Sequence, residues 1–276
     1  MLRDVLGRVL PQKVRSRIKE LLRMPQMERS AALEREIQFW RKWLSTKGMY
    51  WPDDFTARFD PDRVIDGHLA PYVDRVDAAR VRILDVGSGP LTKLGKKHPS
   101  KRLEITATDL LAHEYDRLLA EFGILPPVRT VYADAEQLLE RFGHDAFDIV
   151  NGQNCIDHMA HPQRAIEQMI AVTRPGGYVV LFHAENEGER EHYDQLHQWN
   201  FTCEDAAFII RDRMGRTANM TEKLAASCDV ECLRIAESPV AAPGIDEAAV
   251  PVEARPDFAI LAAIYKRAPS PTVPTS

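Results

Sequence analysis

Two acids and two glycines carry the strongest chemical signal in the chain. Asp85-Val86-Gly87-Ser88-Gly89-Pro90 follows an apolar run, and Asp109 closes the next one, 24 residues after Asp85. Glycines lack Cβ, so a Gly-x-Gly turn lets the backbone approach a nucleotide-like ligand. An acid at the end of the second strand of a βαβ unit can accept both hydroxyls of a ribose. A dinucleotide-binding turn places a third glycine three positions after the second, and here Thr92 stands there. The turn suits a neutral or zwitterionic ligand better than a pyrophosphate, which disfavours a nicotinamide dehydrogenase.

A second group of residues is suited to proton handling. In Asn154-Cys155-Ile156-Asp157-His158, positions 154, 157 and 158 share one face of a helical turn. A histidine titrates near neutrality, so His158 is the candidate general base, oriented by Asp157 or Asn154, and His192 is the next candidate. The pocket is expected to be metal-free. The alternative is a divalent cation on Asn154, Asp157 and His158, weakened because an Asn contributes no charge. Residues 183–201 mix His, Trp, Tyr and carboxylates in a charge run. Charge runs are usually solvated, but aromatic faces beside carboxylates and amides suit a sugar ring. Glu185, Asn154, His197 and Trp199 are therefore expected to wall an acceptor.

These residues need strands to place them. Short apolar runs at 82–86, 104–108, 128–132, 147–152, 178–183, 230–235 and 258–266 alternate with helical patterns. That pattern predicts α/β architecture: a doubly wound, seven-stranded, mostly parallel sheet with an antiparallel last strand. Arg174-Pro175-Gly176-Gly177 is expected to turn tightly before the fifth strand, and residues 61–76 to form a helix leading into the core. Three regions follow: an N-terminal helical and aromatic extension (1–60), the α/β domain (61–267) and a tail expected to be disordered (268–276).

Composition narrows the classes. With 36 basic and 41 acidic residues, the chain is not a nucleic-acid binder by overall charge. The four cysteines show no disulfide framework or metal-ligand spacing, as expected of free thiols in a cytoplasmic protein. Residues 1–23 hold seven basic side chains against two acids along an apolar stripe. Such a segment either packs on the domain or a second subunit, or lies on an anionic membrane surface.

Asp-Val-Gly-Ser-Gly-Pro resembles the first motif of the class I S-adenosylmethionine-dependent methyltransferases, and residues 81–185 resemble their catalytic core. The resemblance implies S-adenosylmethionine as cofactor, held by Asp85, Gly87, Ser88, Gly89, Asp109 and Leu110. It adds Asp134 and Ala135 at the adenine and Asn151 and Gln153 beside the methionine. Asp134 reads also as a helix N-cap, but its place at the end of the third strand favours the adenine role. Many members carry Glu-His at Asp157-His158, and a metal-dependent subset reads Glu-x-x-Glu-His where this chain reads Asn-x-x-Asp-His. Leu196–Phe201, Phe39-Trp40 and Trp51-Pro52 are similar to segments of methyltransferases from bacterial surface-polysaccharide pathways, which implies O-methylation of a sugar or glycan. Two alternatives stay open. One is methylation of a quinone-like or aromatic metabolite stacked on the aromatics between Trp40 and Phe59. The other is a catalytically silent scaffold, against which the intact glycine turn and both strand-end acids argue.

Overall fold

The computed structural model describes residues 12–236 and 258–268, with side chains from Arg29 onward. The expectations for the basic stripe of residues 1–23 and for the tail therefore lie outside the described side chains. Helix α1 (Gln12–Ser45) leads into α2 (Pro52–Phe59) and α3 (Ala70–Arg75). The core follows as β1 (Arg80–Val86), β2 (Arg102–Asp109), α4 (Ala112–Glu121), β3 (Thr130–Tyr132), α5 (Leu138–Phe142), β4 (Phe147–Gln153), α6 (Pro162–Val172) and β5 (Thr173–Ala184). It continues through α7 (Glu187–Arg190), β6 (Trp199–Glu204), β7 (Ala207–Asp212), β8 (Thr217–Asn219), α8 (Met220–Leu224), β9 (Cys228–Ala236) and β10 (Phe258–Lys266).

The main sheet has the order β3-β2-β1-β4-β5-β10-β9, with β10 antiparallel to both its neighbours. All seven expected strands lie in it. Alternation along each strand feeds two cores. On one face Leu84, Val86, Val150, Val179 and Leu181 pack with Ile166 and Met169 of α6 and with Phe201 and Phe208 of a second sheet. On the other, Val81, Ile83, Ile149 and Val180 pack against Leu69, Tyr72 and Val73. Order reverses between β1 and β4, which opens a crevice beyond their carboxyl ends, where open α/β sheets bind ligands.

Three expectations need correction. The helix expected over 61–76 is confined to Ala70–Arg75. The preceding residues form turns around an isolated bridge, with Val64 pairing with Lys97 and Ile65 N–H donating to Lys97 O. The Pro-Gly-Gly turn lies within β5 as an irregularity. Pairing shifts register between Phe147 and Ile149, and Gly176 takes φ +78°. A Cβ on Gly177 would come within 2.5 Å of Asp148 O, so the strands approach there only because it has none. Finally, residues 199–219 form an antiparallel sheet, β6-β7-β8, that the sequence pattern did not announce. Among the described residues no helix is long and apolar enough to cross a membrane.

Asp148 ties the amino-terminal ends of the strands together. It accepts from Arg82 N–H at 2.7 Å, from Arg82 Nε at 3.3 Å and from Arg174 Nε. Burial works to raise its pKa, but these donors outweigh burial and hold it below the ordinary carboxylate value. The stability it contributes is therefore present above that ordinary value and lost as pH falls through the lowered one. Asp148→Ala is expected to destabilise the fold by about 1.5–3 kcal/mol, the range for hydrogen bonds to a charged group. Urea melts at pH 7 and pH 3 check this, and the difference between variant and wild type should shrink at the lower pH.

Candidate functional site

The crevice holds a cavity of about 720 Å³, lined from β1, β2 and β4, by α1 and by the segment after β5. Its floor is the turn Gly87–Gly89. Both glycines take positive φ, +64° and +65°, where side chains with Cβ are strained. The structure adds a reason beyond ligand approach. A Cβ on Gly87 would sit 2.4 Å from Cys155 Cβ, and one on Gly89 2.6 Å from the Trp40 ring. The turn is clamped between the β4 loop and helix α1.

Asp109 faces the same cavity. Its Oδ2 accepts from Gly89 N–H at 3.1 Å and its Oδ1 from Leu111 N–H at 2.9 Å, so it fixes the turn from across the crevice. Each oxygen keeps capacity for a further donor. Burial raises its pKa to about 6 against the pull of those two amides. Asp85 is more committed. Its Oδ1 accepts from Asn151 Nδ2 at 2.7 Å and its Oδ2 from Thr92 Oγ1 at 2.6 Å. Thr92, which stands where a dinucleotide turn would have glycine, is thus the lock on the first acid.

Ser88, Leu110, Asp134, Ala135 and Gln153 also line the cavity. Asp134 accepts from Glu136 N–H at 2.9 Å, so the N-cap reading is realised on a residue that still faces the crevice. Asn151 is a correction. It is fully buried, with its Oδ1 accepting from His68 Nε2 at 3.1 Å and its amide spent on Asp85, and it does not reach the cavity.

The second group gathers differently from the sequence expectation. Asp157 and His158 sit on a 3₁₀ turn after β4, and His197 arrives from just before β6. His197 Nδ1 lies 2.8 Å from Asp157 Oδ2, His158 Nε2 lies 3.5 Å from that oxygen, and the two ring nitrogens are 3.3 Å apart. His158 and His197 line the cavity, while Asp157 is 1% exposed behind them. Burial opposes ionisation of Asp157, but the histidines around it hold its pKa down. Burial also acts to lower His197, yet the Asp157 contact lifts it to about 9.

Asn154 lines the cavity but its Oδ1 accepts from Ala184 N–H at 3.0 Å, so it belongs to the strand end and not to this cluster. The expected trio of Asn154, Asp157 and His158 is thereby replaced by Asp157, His158 and His197. His192 is exposed, in a turn at φ +53°, and does not line the cavity. Glu185 accepts from Thr202 Oγ1 and pairs with Arg234, and Trp199 Nε1 donates to Met159 O, so both brace the second sheet and do not wall the cavity. Glu187 was missed. It lines the cavity, and its Oε2 is buried without a partner among the described residues. Burial, reinforced by Asp157, raises its pKa. Read in sequence it was one more acid in a charge run.

Residues 84–181 match the family model described as "Methyltransferase domain". The ubiquinone/menaquinone biosynthesis C-methyltransferase UbiE of Laribacter hongkongensis is 35% identical over 107 residues, covering 37% of this chain and 42% of that protein. The tRNA U34 carboxymethyltransferase of Syntrophotalea carbinolica is 28% identical over 156 residues, covering 55% of this chain and 41% of that protein. The chain therefore spans about two fifths of the length of each of these relatives. A chain of the complex between the Haloferax volcanii methyltransferase activator Trm112 and its methyltransferase superposes with a TM-score of 0.51 at 13% identity. That match covers 83% of this chain and 96% of that one, a likeness of fold.

Residues 84–181 form a class I methyltransferase domain. Its cofactor is S-adenosylmethionine, and the residues present fit it. The methyltransferase domain offers a crevice of ligand size, a glycine turn as its floor and the Asp109 carboxylate facing it from the end of β2. Strand β4 ends at Gln153, and the turn that follows it brings His158 to the cavity wall beside His197.

Proposed function

We propose that the chain transfers a methyl group from S-adenosylmethionine to an oxygen of a polar, hydroxyl-bearing acceptor of sugar size. One observation carries this reading: the His158 and His197 rings line the same cavity as Asp109 and the glycine turn. Asp157 secures the cluster from behind, away from the acceptor, and acts toward it as a positioning residue. An acceptor oxygen seated against this wall attacks the methyl carbon. The carbon–sulfur bond breaks with its electron pair passing to sulfur, and the hydroxyl proton passes to the His158 imidazole. Positioning at near-attack distance supplies much of the acceleration. Arg29, Arg190 and Gln195 share the lining and favour a polar acceptor over a purely apolar one.

A second reading is a quinone-like or aromatic acceptor. Phe39, Trp40 and Trp51 line the cavity and offer stacking faces, and a named relative acts in ubiquinone and menaquinone biosynthesis. The other aromatics of that connector, Trp43, Phe55 and Phe59, are packed in the core between α1 and α4 and offer none. Incubation with methyl-labelled cofactor and a panel of uronic acids, deoxysugars, catechols and demethylated quinones separates the readings. Label on a sugar oxygen is the expected result. Label confined to a quinone ring would replace the first reading with the second.

A further inference from the structure

We propose that Asp157, His158 and His197 form a binding site for one divalent transition-metal ion of the zinc or manganese class. Two imidazole nitrogens and one carboxylate oxygen converge from two segments 40 residues apart, separated by 2.8, 3.3 and 3.5 Å. A tetrahedral ion holding ligands at about 2.0–2.1 Å sets them about 3.3 Å from one another. Two edges of the triangle, 3.3 and 3.5 Å, match that spacing, and the third, 2.8 Å, is a His197–Asp157 hydrogen bond that must open slightly to admit the ion. The donor set points to the same class of ion, because imidazole with carboxylate suits zinc and its neighbours, whereas magnesium and calcium take oxygen-only cages.

Proton sharing accounts less well for the same contacts. One N–H from His197 satisfies Asp157 Oδ2, but His158 Nε2 then approaches both atoms with only long contacts of 3.3 and 3.5 Å. The carboxylate is almost wholly buried, and its Oδ1 has no hydrogen-bond partner among the described residues. His183 Nδ1, 3.8 Å from that oxygen, is itself unpartnered. His197 Nδ1 already faces Oδ2 at 2.8 Å, and a divalent cation in the triangle would replace that proton-mediated contact, turning three ring and carboxylate lone pairs to one purpose.

The side of the triangle opposite Asp157 faces the cavity, where both histidines are partly exposed and the unpartnered Glu187 also lines the wall. The remaining coordination positions are open to a water or to an acceptor oxygen. A bound divalent ion lowers the pKa of a hydroxyl it coordinates. An acceptor with two adjacent oxygens, a vicinal diol or an α-hydroxy carbonyl, would chelate there. That clause alone rests on the methyl-transfer reading; the metal site does not.

The test is metal binding to the full chain after dialysis against a chelator. Titration calorimetry with zinc chloride and with manganese chloride should give one ion per chain, and Co²⁺ should develop the visible absorption of a tetrahedral nitrogen–oxygen site. His158→Gln and His197→Gln, each melting within a few degrees of wild type, should each weaken binding by at least tenfold. His192→Gln, outside the cavity, should bind as wild type does. No stoichiometric ion in the wild type overturns the proposal. So does binding that is unchanged in both variants, because the ion then lies elsewhere. Labelled-methyl transfer measured in parallel keeps the two readings apart: an ion bound without transfer sinks only the proposed activity, and transfer by a protein that binds no stoichiometric ion sinks only the metal site.

Discussion

His158→Ala is expected to lower turnover by about 10²–10⁴-fold, the usual worth of a group that handles the acceptor proton. Affinity for S-adenosylhomocysteine should stay within about twofold by calorimetry, because the ring's polar contacts are with His197 and Asp157. His197→Ala should have an effect of similar size, since the two nitrogens lie 3.3 Å apart and share Asp157. Groups that act as a unit are strongly non-additive, so the double variant should lose little more than either single one. His192→Ala is the control: an exposed side chain off the cavity should leave turnover near wild type. If His192→Ala abolishes transfer while His158→Ala does not, the reacting oxygen is not held at the His158–His197 wall.

Cofactor binding should respond as sharply to Asp109. With Asp109 proposed as the acceptor for the ribose hydroxyls, Asp109→Ala is expected to lose about 2–4 kcal/mol of cofactor affinity. That corresponds to about 30- to 1000-fold in Kd. The same carboxylate also holds the Gly89 and Leu111 amides, so alanine loosens the turn itself. Asp109→Asn keeps one acceptor for those amides and isolates the charge. The pKa of about 6 fixes the pH dependence. The charged form accepts both hydroxyls, so wild-type affinity should fall as pH drops from 7 to 5, and Asp109→Asn should be flat over that range. The stability sign is opposite. A raised carboxylate favours the free fold most at low pH and gives up that contribution as pH rises through about 6. Cofactor should therefore protect against thermal unfolding more at pH 7 than at pH 5. Unchanged S-adenosylhomocysteine affinity in folded Asp109→Ala would remove Asp109 from the cofactor site.

The elements that hold these residues were written in local sequence. Each of the seven main-sheet strands is a short apolar run whose burial is decided by its own side chains. The glycine turn is marked by residues that alone tolerate its backbone, and Asp109 is placed by the length of one βαβ unit. The second sheet was not legible, because Trp199–Asn219 alternates too weakly to stand apart from a loop until Phe201 and Phe208 find the core.

The polar side chains of the site obey a different logic. A Glu, Asn or His carries no local signal of which way it faces; its partner decides, and the partner is remote in sequence. Thr92 and Asn151 lock Asp85, Ala184 takes Asn154, and Thr202 with Arg234 takes Glu185. His197 reaches Asp157 across 40 residues, and Glu187 is buried although it sits in a charge run. Sequence by itself determined the sheet, the turn and the cofactor class, because these rest on periodicity and backbone sterics. Only the tertiary structure decided which histidines meet the acceptor, because hydrogen bonding and desolvation act between segments that meet only when the chain is folded.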